Sequence, residues 1–245
     1  MSALFFFLGL AIGSFLNLCI DRLPKRESIV RPPSHCDACR HRLSPLDLIP
    51  LLSYLYLRGK CRYCGASIPY RVPLVEGVTG LIFLLLWNHY GLSIELPLAM
   101  LFASLFIVIV VIDIEHHLIP SRVVYPAIGL AFLVPILTHN YGIVSAVIGG
   151  ATGFGILMPL AFFFPSAMGM GDVKLAALIG LLVGFPQVFI ALLIGFVIGG
   201  AVGGGLLAAK LKRRKDPIPL APFLTAGLIT TVFYGEEMLK LYLGG

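Results

Sequence analysis

Charge is what this sequence has least of. Asp, Glu, Lys and Arg make up 12% of its 245 residues, against 58% apolar, and a soluble domain carries roughly twice that charged fraction. Too few polar side chains exist to cover a soluble globule of 26.5 kDa. A soluble enzyme, a disordered protein and a coiled coil are thereby excluded. Strand-like alternation is also missing. The apolar runs are long and continuous, which argues against an outer-membrane barrel. The first run lacks a basic lead-in and an A-x-A site, so it is read as a span and not as a cleaved signal peptide. The class left is all-α: a polytopic integral membrane protein.

Apolar stretches occupy about 2–20, 72–88, 96–112, 123–138, 143–164, 173–184, 187–209 and 218–234. As one helix, 173–209 would run about 55 Å, too long for a hydrocarbon core of about 30 Å. Gly184, Pro186 and Gln187 offer a break there. The net charge is +6, and the 18 Lys and Arg fall in blocks. Ten lie in 21–71 and five in 210–215, while three of the loops carry none. With eight spans, every basic residue but Lys240 falls on one face. The positive-inside rule then predicts eight transmembrane helices with the N-terminus outside. The basic blocks are orientation signals, and no nucleic-acid partner is expected. The predicted organisation is a first transmembrane helix (1–20), a cytoplasmic insert (21–71) and a seven-helix membrane bundle (72–245). No internal repeat is visible.

The insert holds four of the five cysteines. Cys36-Asp-Ala-Cys39 precedes Cys61-Arg-Tyr-Cys64, and two such pairs make the ligand set of a four-thiolate zinc site. A short polar insert has little core, and a metal supplies folding free energy. Two disulfides are the alternative, but a cytoplasmic insert favours zinc. With four protein ligands the metal is structural, one per chain. Cys19 stands alone in the first span and reads as a small buried apolar residue.

Two carboxylates carry the functional argument. Asp113 ends the third apolar run and Asp172 opens the sixth. An acidic residue deep in a span costs a few kcal/mol, so each needs a reason. By the helix count both lie at the cytoplasmic end. Two facing carboxylates in a low-dielectric site share a proton, so one can activate water while the other donates to a carbonyl oxygen. Gly169 and Gly171 leave the backbone bare beside Asp172, as an extended peptide would require. Lys174 either snorkels to the interface or tunes Asp172.

Gly169-x-Gly171-Asp172 is the G-x-G-D pattern of intramembrane aspartyl peptidases. With Val173-Lys174-Leu175, and with Asp113 seven residues before Pro120, it resembles the bacterial type 4 prepilin peptidases. So do Gly13-Ser14-Phe15-Leu16-Asn17, Arg22-Leu23-Pro24, the paired Cys-x-x-Cys insert and Pro73-Leu74-Val75-Glu76. The resemblance implies a bifunctional enzyme of the bacterial inner membrane. Such enzymes cut the leader from type IV prepilins or pseudopilins after a Gly at the cytoplasmic face. They then N-methylate the new terminal residue with S-adenosylmethionine. It makes Asp113 and Asp172 the peptidase dyad. It assigns the first motif, with Asn17, the zinc insert and Glu76 to the methyltransferase half.

Other features read blandly. The glycines of 199–205 suit helix packing, since no strand precedes them as a nucleotide loop needs. His116 and His117 read as an ordinary loop. Glu115 and Asp216 are acidic groups that a basic leader could meet. Two other classes compete: a proton-coupled transporter using Asp113 and Asp172, and a non-catalytic zinc scaffold. Both carboxylates at one edge argue against the first. The G-x-G-D glycines argue against the second.

Overall fold

The structure, a computed structural model, describes residues 1–138, 141–164, 168–213 and 216–243. Arg214 and Lys215 of the basic run lie outside the described residues. The described residues form α-helices and no strand: α1 (Ser2–Arg22), α2 (Leu52–Tyr56), α3 (Arg71–Tyr90), α4 (Glu95–His116), α5 (Ser121–Ala131), α6 (Leu133–Thr138), α7 (Ile143–Phe163), α8 (Met170–Val183), α9 (Gln187–Ala208) and α10 (Ala221–Leu243). A 3₁₀ turn, Pro45–Leu48, precedes α2.

Six stretches among the described residues are long and apolar enough to cross a membrane: α1, α3, α4, α5 with α6, α7 and α9. The protein is a multi-pass membrane protein. The other two predicted spans are shorter. Helix α8 has 14 residues, about 21 Å, and the apolar part of α10 is Ala221–Gly235. Length alone therefore supports six spans and does not establish eight. The predicted break in 173–209 is present: α8 stops at Val183, Gly184 takes φ +73°, and α9 starts after Pro186. Ser145 and Tyr141 on the α7 side satisfy the polar groups freed there. The Ser145 hydroxyl donates to the Phe185 carbonyl (2.9 Å), and the Tyr141 hydroxyl meets the Leu181 carbonyl (3.1 Å).

The contacts divide the chain into two units, Met1–Val108 and Ile109–Gly245, with the boundary inside α4. In the first, α1 lies against α3. A Cβ on Gly9 would stand 2.7 Å from the Gly80 Cα, and one on Gly13 2.7 Å from the Glu76 Cα. Phe83, Leu96 and Met100 form a core beside this pair, and Phe5 stacks on Trp87 at 4.4 Å.

In the second unit α8 packs against α5, α7, α9 and α10. Its Val173, Leu175, Ala176, Leu178 and Ile179 are fully buried. The α7–α8 contact is backbone on backbone: a Cβ on Gly180 would lie 2.1 Å from the Gly149 carbonyl oxygen. The glycine run of α9 also serves packing. Gly195 meets Leu224, Gly199 meets Phe223 and Gly203 meets Ile218, while Gly200, Gly204 and Gly205 meet nothing within 4 Å. Small residues at this spacing let membrane helices approach closely.

Gly180→Val should therefore force α7 and α8 apart, at a cost of about 2–3 kcal/mol. Gly204→Ala points into open space and should stay within about 1 kcal/mol of the parent. Thermal unfolding in detergent micelles compares the two. Equal melting temperatures would contradict the close α7–α8 seam.

Candidate active site

The insert contains two equivalent knuckles that the sequence did not reveal as a repeat. His35 bridges Arg42 around the first Cys pair, and Lys60 bridges Ser67 around the second. In each, the first Cys N–H donates across the turn: Cys36 to the His41 carbonyl (3.0 Å), Cys61 to the Ala66 carbonyl (2.8 Å). In each, the residue after the second Cys is left-handed: Arg40 at φ +59° and Gly65 at φ +72°. Different side chains conceal this equivalence, because the repeat is one of backbone shape. The His41 ring packs on Tyr63 at 3.7 Å. Asp47 accepts from the Ser44 hydroxyl (2.8 Å) and from Arg62 Nε (2.7 Å). Burial pushes the Asp47 carboxyl up, but Ser44 and Arg62 outweigh it and hold it below the usual carboxylate range.

The four sulfurs of Cys36, Cys39, Cys61 and Cys64 lie within 4.8 Å of one another, and Cys36 Sγ is 3.8 Å from Cys64 Sγ. Tetrahedral zinc with Zn–S of about 2.3 Å sets sulfur–sulfur edges of about 3.8 Å. The cluster thus has the size and donor set for one divalent, thiophilic metal. The Tyr63 and Cys64 N–H groups bring the Cys61 thiol down to about 7. The Ala66 N–H lowers Cys64, but burial and the thiols of Cys39, Cys61 and Cys36 push it up to about 11. Four such thiols do not ionise together unless a cation offsets their charge.

Where the insert meets α1 and α3, buried polar groups collect. Glu76, 5% exposed, accepts the Leu51 N–H at 2.8 Å and bonds the Ser14 side chain. Leu51 takes φ +58° there, at the start of α2. Asn17, also 5% exposed, donates to the Gly13 and Val72 carbonyls. Its Oδ1 has no hydrogen-bond partner. Buried Arg22 donates to the Ser28 carbonyl at 2.8 Å and so folds the chain leaving α1. A cleft of about 640 Å³, lined by Leu18, Val30, Pro33, His41, Arg42 and Leu48 among others, opens in this unit. Its volume lies in the range of small-ligand sites.

In the second unit Asp113 sits in the last turn of α4, 5% exposed. Its Oδ2 accepts the N–H of Ala221, the first residue of α10, at 2.9 Å, and the Leu220 N–H bonds it as well. His117 follows at φ +51° and acts electrostatically on it. Asp172, half-buried in the first turn of α8, accepts the Gly169 N–H at 3.1 Å. The Asp113 charge acts on Asp172, so the two carboxylates are within electrostatic reach. Such a pair can share a proton and activate water.

Other predicted residues fall as follows. A Cβ on Gly171 would lie 2.8 Å from the Ile119 Cβ, so its bare backbone admits Ile119. A Cβ on Gly169 would make ordinary contacts, 3.7 Å from the Asp172 Oδ2 and 3.8 Å from the Gly171 nitrogen. Lys174 Nζ donates to the Ser121 hydroxyl at 3.1 Å and stands 4.7 Å over the Tyr125 ring. Its charge is engaged with α5. Asp216 accepts the Arg213 N–H, and Glu115 is exposed. Sequence reasoning missed Leu220 and Ala221. Their contribution is a backbone N–H, and the only signal was the Pro219-Leu-Ala-Pro222 helix start.

The two knuckles give a paired prediction. Leaving αL should relieve Arg40→Gly of about 1 kcal/mol, and entering it should cost Gly65→Ala a similar amount. Chelator competition should show metal held about fivefold more tightly in the first and about fivefold more loosely in the second. Unchanged metal retention in both variants would mean the knuckle backbone does not govern the cluster.

Residues 7–90 match the Bacterial Peptidase A24 N-terminal domain, and residues 100–204 match the Type IV leader peptidase family. A prepilin leader peptidase/N-methyltransferase of Bacillus subtilis is 35% identical over 99% of this chain and 98% of its own length. One from Myxococcus xanthus is 36% identical over 82% of this chain and 62% of its own length. Another from Aeromonas salmonicida is 30% identical over 98% and 93%. No solved structure matches. Near-complete coverage at this identity, with both halves matched in order, makes this chain a member of the type IV leader peptidase family.

Proposed function

We propose that this protein cleaves the leader of type IV prepilins or pseudopilins after a Gly and N-methylates the new N-terminal residue. The observation that carries the reading is the pair Asp113 and Asp172. Asp113 stands in the last turn of α4 and Asp172 in the first turn of α8, two carboxylates at the ends of apolar helices of one unit. The pair is the aspartyl dyad. One carboxylate takes a proton from water as it attacks the scissile carbonyl, and the other donates to the carbonyl oxygen. Gly169, where a Cβ would stand 3.7 Å from the Asp172 Oδ2, is where an extended peptide approaches. The distribution of Lys and Arg supports a cytoplasmic face of the bacterial inner membrane for this site. A prepilin suits it, since an apolar helix can lie along the spans while its basic leader stays outside.

The first unit is the methyltransferase half. S-adenosylmethionine supplies the methyl group. Asn17 offers the buried acceptor Oδ1 for a donor group of cofactor or substrate. Glu76 holds Leu51 and thereby the insert. Arg42, at the cleft, is a cation suited to a carboxylate. Zinc at Cys36, Cys39, Cys61 and Cys64 is structural, since four thiolates leave no open position. The transporter reading needs carboxylates near the bilayer midplane. Asp113 instead lies three residues from the end of a 22-residue helix.

Asp113→Asn and Asp172→Asn should each abolish leader cleavage by purified protein in detergent, while the protein still inserts. Asp172→Ala should still methylate an already trimmed pilin bearing a free N-terminal Phe. Cys36→Ser should lose the metal and weaken methyl transfer more than cleavage. Substantial cleavage by either Asn variant removes the dyad. Loss of both activities in folded Asp172→Ala replaces two sites with one.

A further inference from the structure

The two carboxylates differ in what binds them. Asp113 Oδ2 takes a buried N–H from Ala221, 108 residues away in sequence, with the Leu220 N–H beside it. These donors open a 23-residue helix, whose aligned peptide dipoles favour a negative charge at that end. Asp172 has a local partner only: its Oδ2 takes the Gly169 N–H in an exposed bond. The repulsion between the two charges is mutual, so it favours one shared proton without choosing its holder. Backbone N–H donors favour the ionised form of a carboxyl, and a neighbouring anion favours the neutral form.

We propose that the opening of α10, through the Leu220 and Ala221 N–H groups, fixes Asp113 as the ionised member of the pair and leaves the shared proton on Asp172. This rests on the dyad reading above and adds the assignment of roles. Asp113 takes a proton from water as the water oxygen bonds to the scissile carbon. The carbonyl π electrons move to the oxygen, which takes the proton of Asp172. The tetrahedral diol then collapses: its C–N bond breaks, the amine nitrogen receives the proton held by Asp113, and Asp172 recovers a proton from the diol. One water is consumed, one acid and one amine are released, and both carboxyls return to their starting states.

Asp113 is buried, and the groups around it are His117, just past the end of its own helix, and the two N–H donors of α10; across from it, its own charge acts on Asp172 of α8. The other charge near the start of α8, Lys174, is engaged with Ser121 and Tyr125 of α5. Leu220 and Ala221 are positioning residues, and a backbone donor is removed cleanly by proline. Ala221 is the first residue of α10, and proline is accepted at that position of a helix.

The test is the pH profile of leader cleavage by purified full-length protein. Loss of one donor makes Asp113 harder to ionise, so the acid limb for Ala221→Pro should move up by about one pH unit. Its rate should fall about tenfold below the limb and recover above it. Ala221→Ser keeps the N–H and should keep the parent limb. A uniform loss at all pH values, with the limb unmoved, overturns the assignment while leaving the dyad intact. Infrared titration of carboxyl bands covers the case in which Ala221→Pro does not fold. In Asp172→Asn protein, Asp113 should stay ionised to lower pH than Asp172 does in Asp113→Asn protein. The reverse order overturns the proposal. Full cleavage by both Asn variants would instead refute the underlying dyad.

Discussion

Inside a bilayer an apolar helix gains little by turning its side chains toward another helix, because lipid tails are equally apolar. Close backbone approach has to supply the attraction, and bulky side chains forbid it. That constraint organises this protein. Gly9 and Gly13 bring α1 onto α3, Gly149 and Gly180 bring α7 onto α8, and Gly195 and Gly227 bring α9 onto α10. Several of the candidate functional groups ride on these seams. Asn17 and Glu76 lie along the first. Asp172 opens α8 in the second, and the donors to Asp113 open α10 in the third.

The same environment explains why so much could be read from the sequence. Scarce charge stands out, which singles out Asp113 and Asp172 as candidates. The Cys spacing foretold a cluster whose sulfurs do converge. The break at Gly184 and Pro186 was legible because a single helix there would have been too long. The number of crossings was less so. Hydropathy marked eight stretches, but the helix at 173–184 extends only three residues beyond its apolar run, to Met170, and stays short of the length of a crossing. Three further features were hidden because they join distant residues or use the backbone. They are the Ala221 N–H on Asp113, the Lys174 contact with Ser121, and the Leu51 N–H on Glu76. A motif records side chains, and two of these three interactions are made by a peptide N–H.

The insert shows a different economy. It has two short helical turns and little core, and its order comes from polar ties: Arg22 to Ser28, Asp47 to Ser44 and Arg62, Glu76 to Leu51. Such ties are individually weak when exposed. A metal at the four thiols would close the loop between residues 36 and 64 and join the two knuckles at once. This makes the insert the part of the first unit most sensitive to loss of metal, whereas the α1–α3 seam rests on the close approach of Gly9 and Gly13 to α3.

Two aspartates of the same kind become chemically distinct through the source of their hydrogen bonds. A donor from the same turn, such as Gly169 for Asp172, arises wherever an acidic residue stands in the first turn of a helix, and it implies nothing about the rest of the fold. A donor from another helix exists only when both helices are in place. The bond from Ala221 to Asp113 is of that second kind and is buried. Its geometry depends on α10 being seated against α8 and α9, and hence on the glycine contacts that allow it. The electrostatic state of Asp113 is therefore a property of the assembled bundle. Without α10 in place Asp113 has neither donor, so the arrangement couples the geometry of the site to a completed fold.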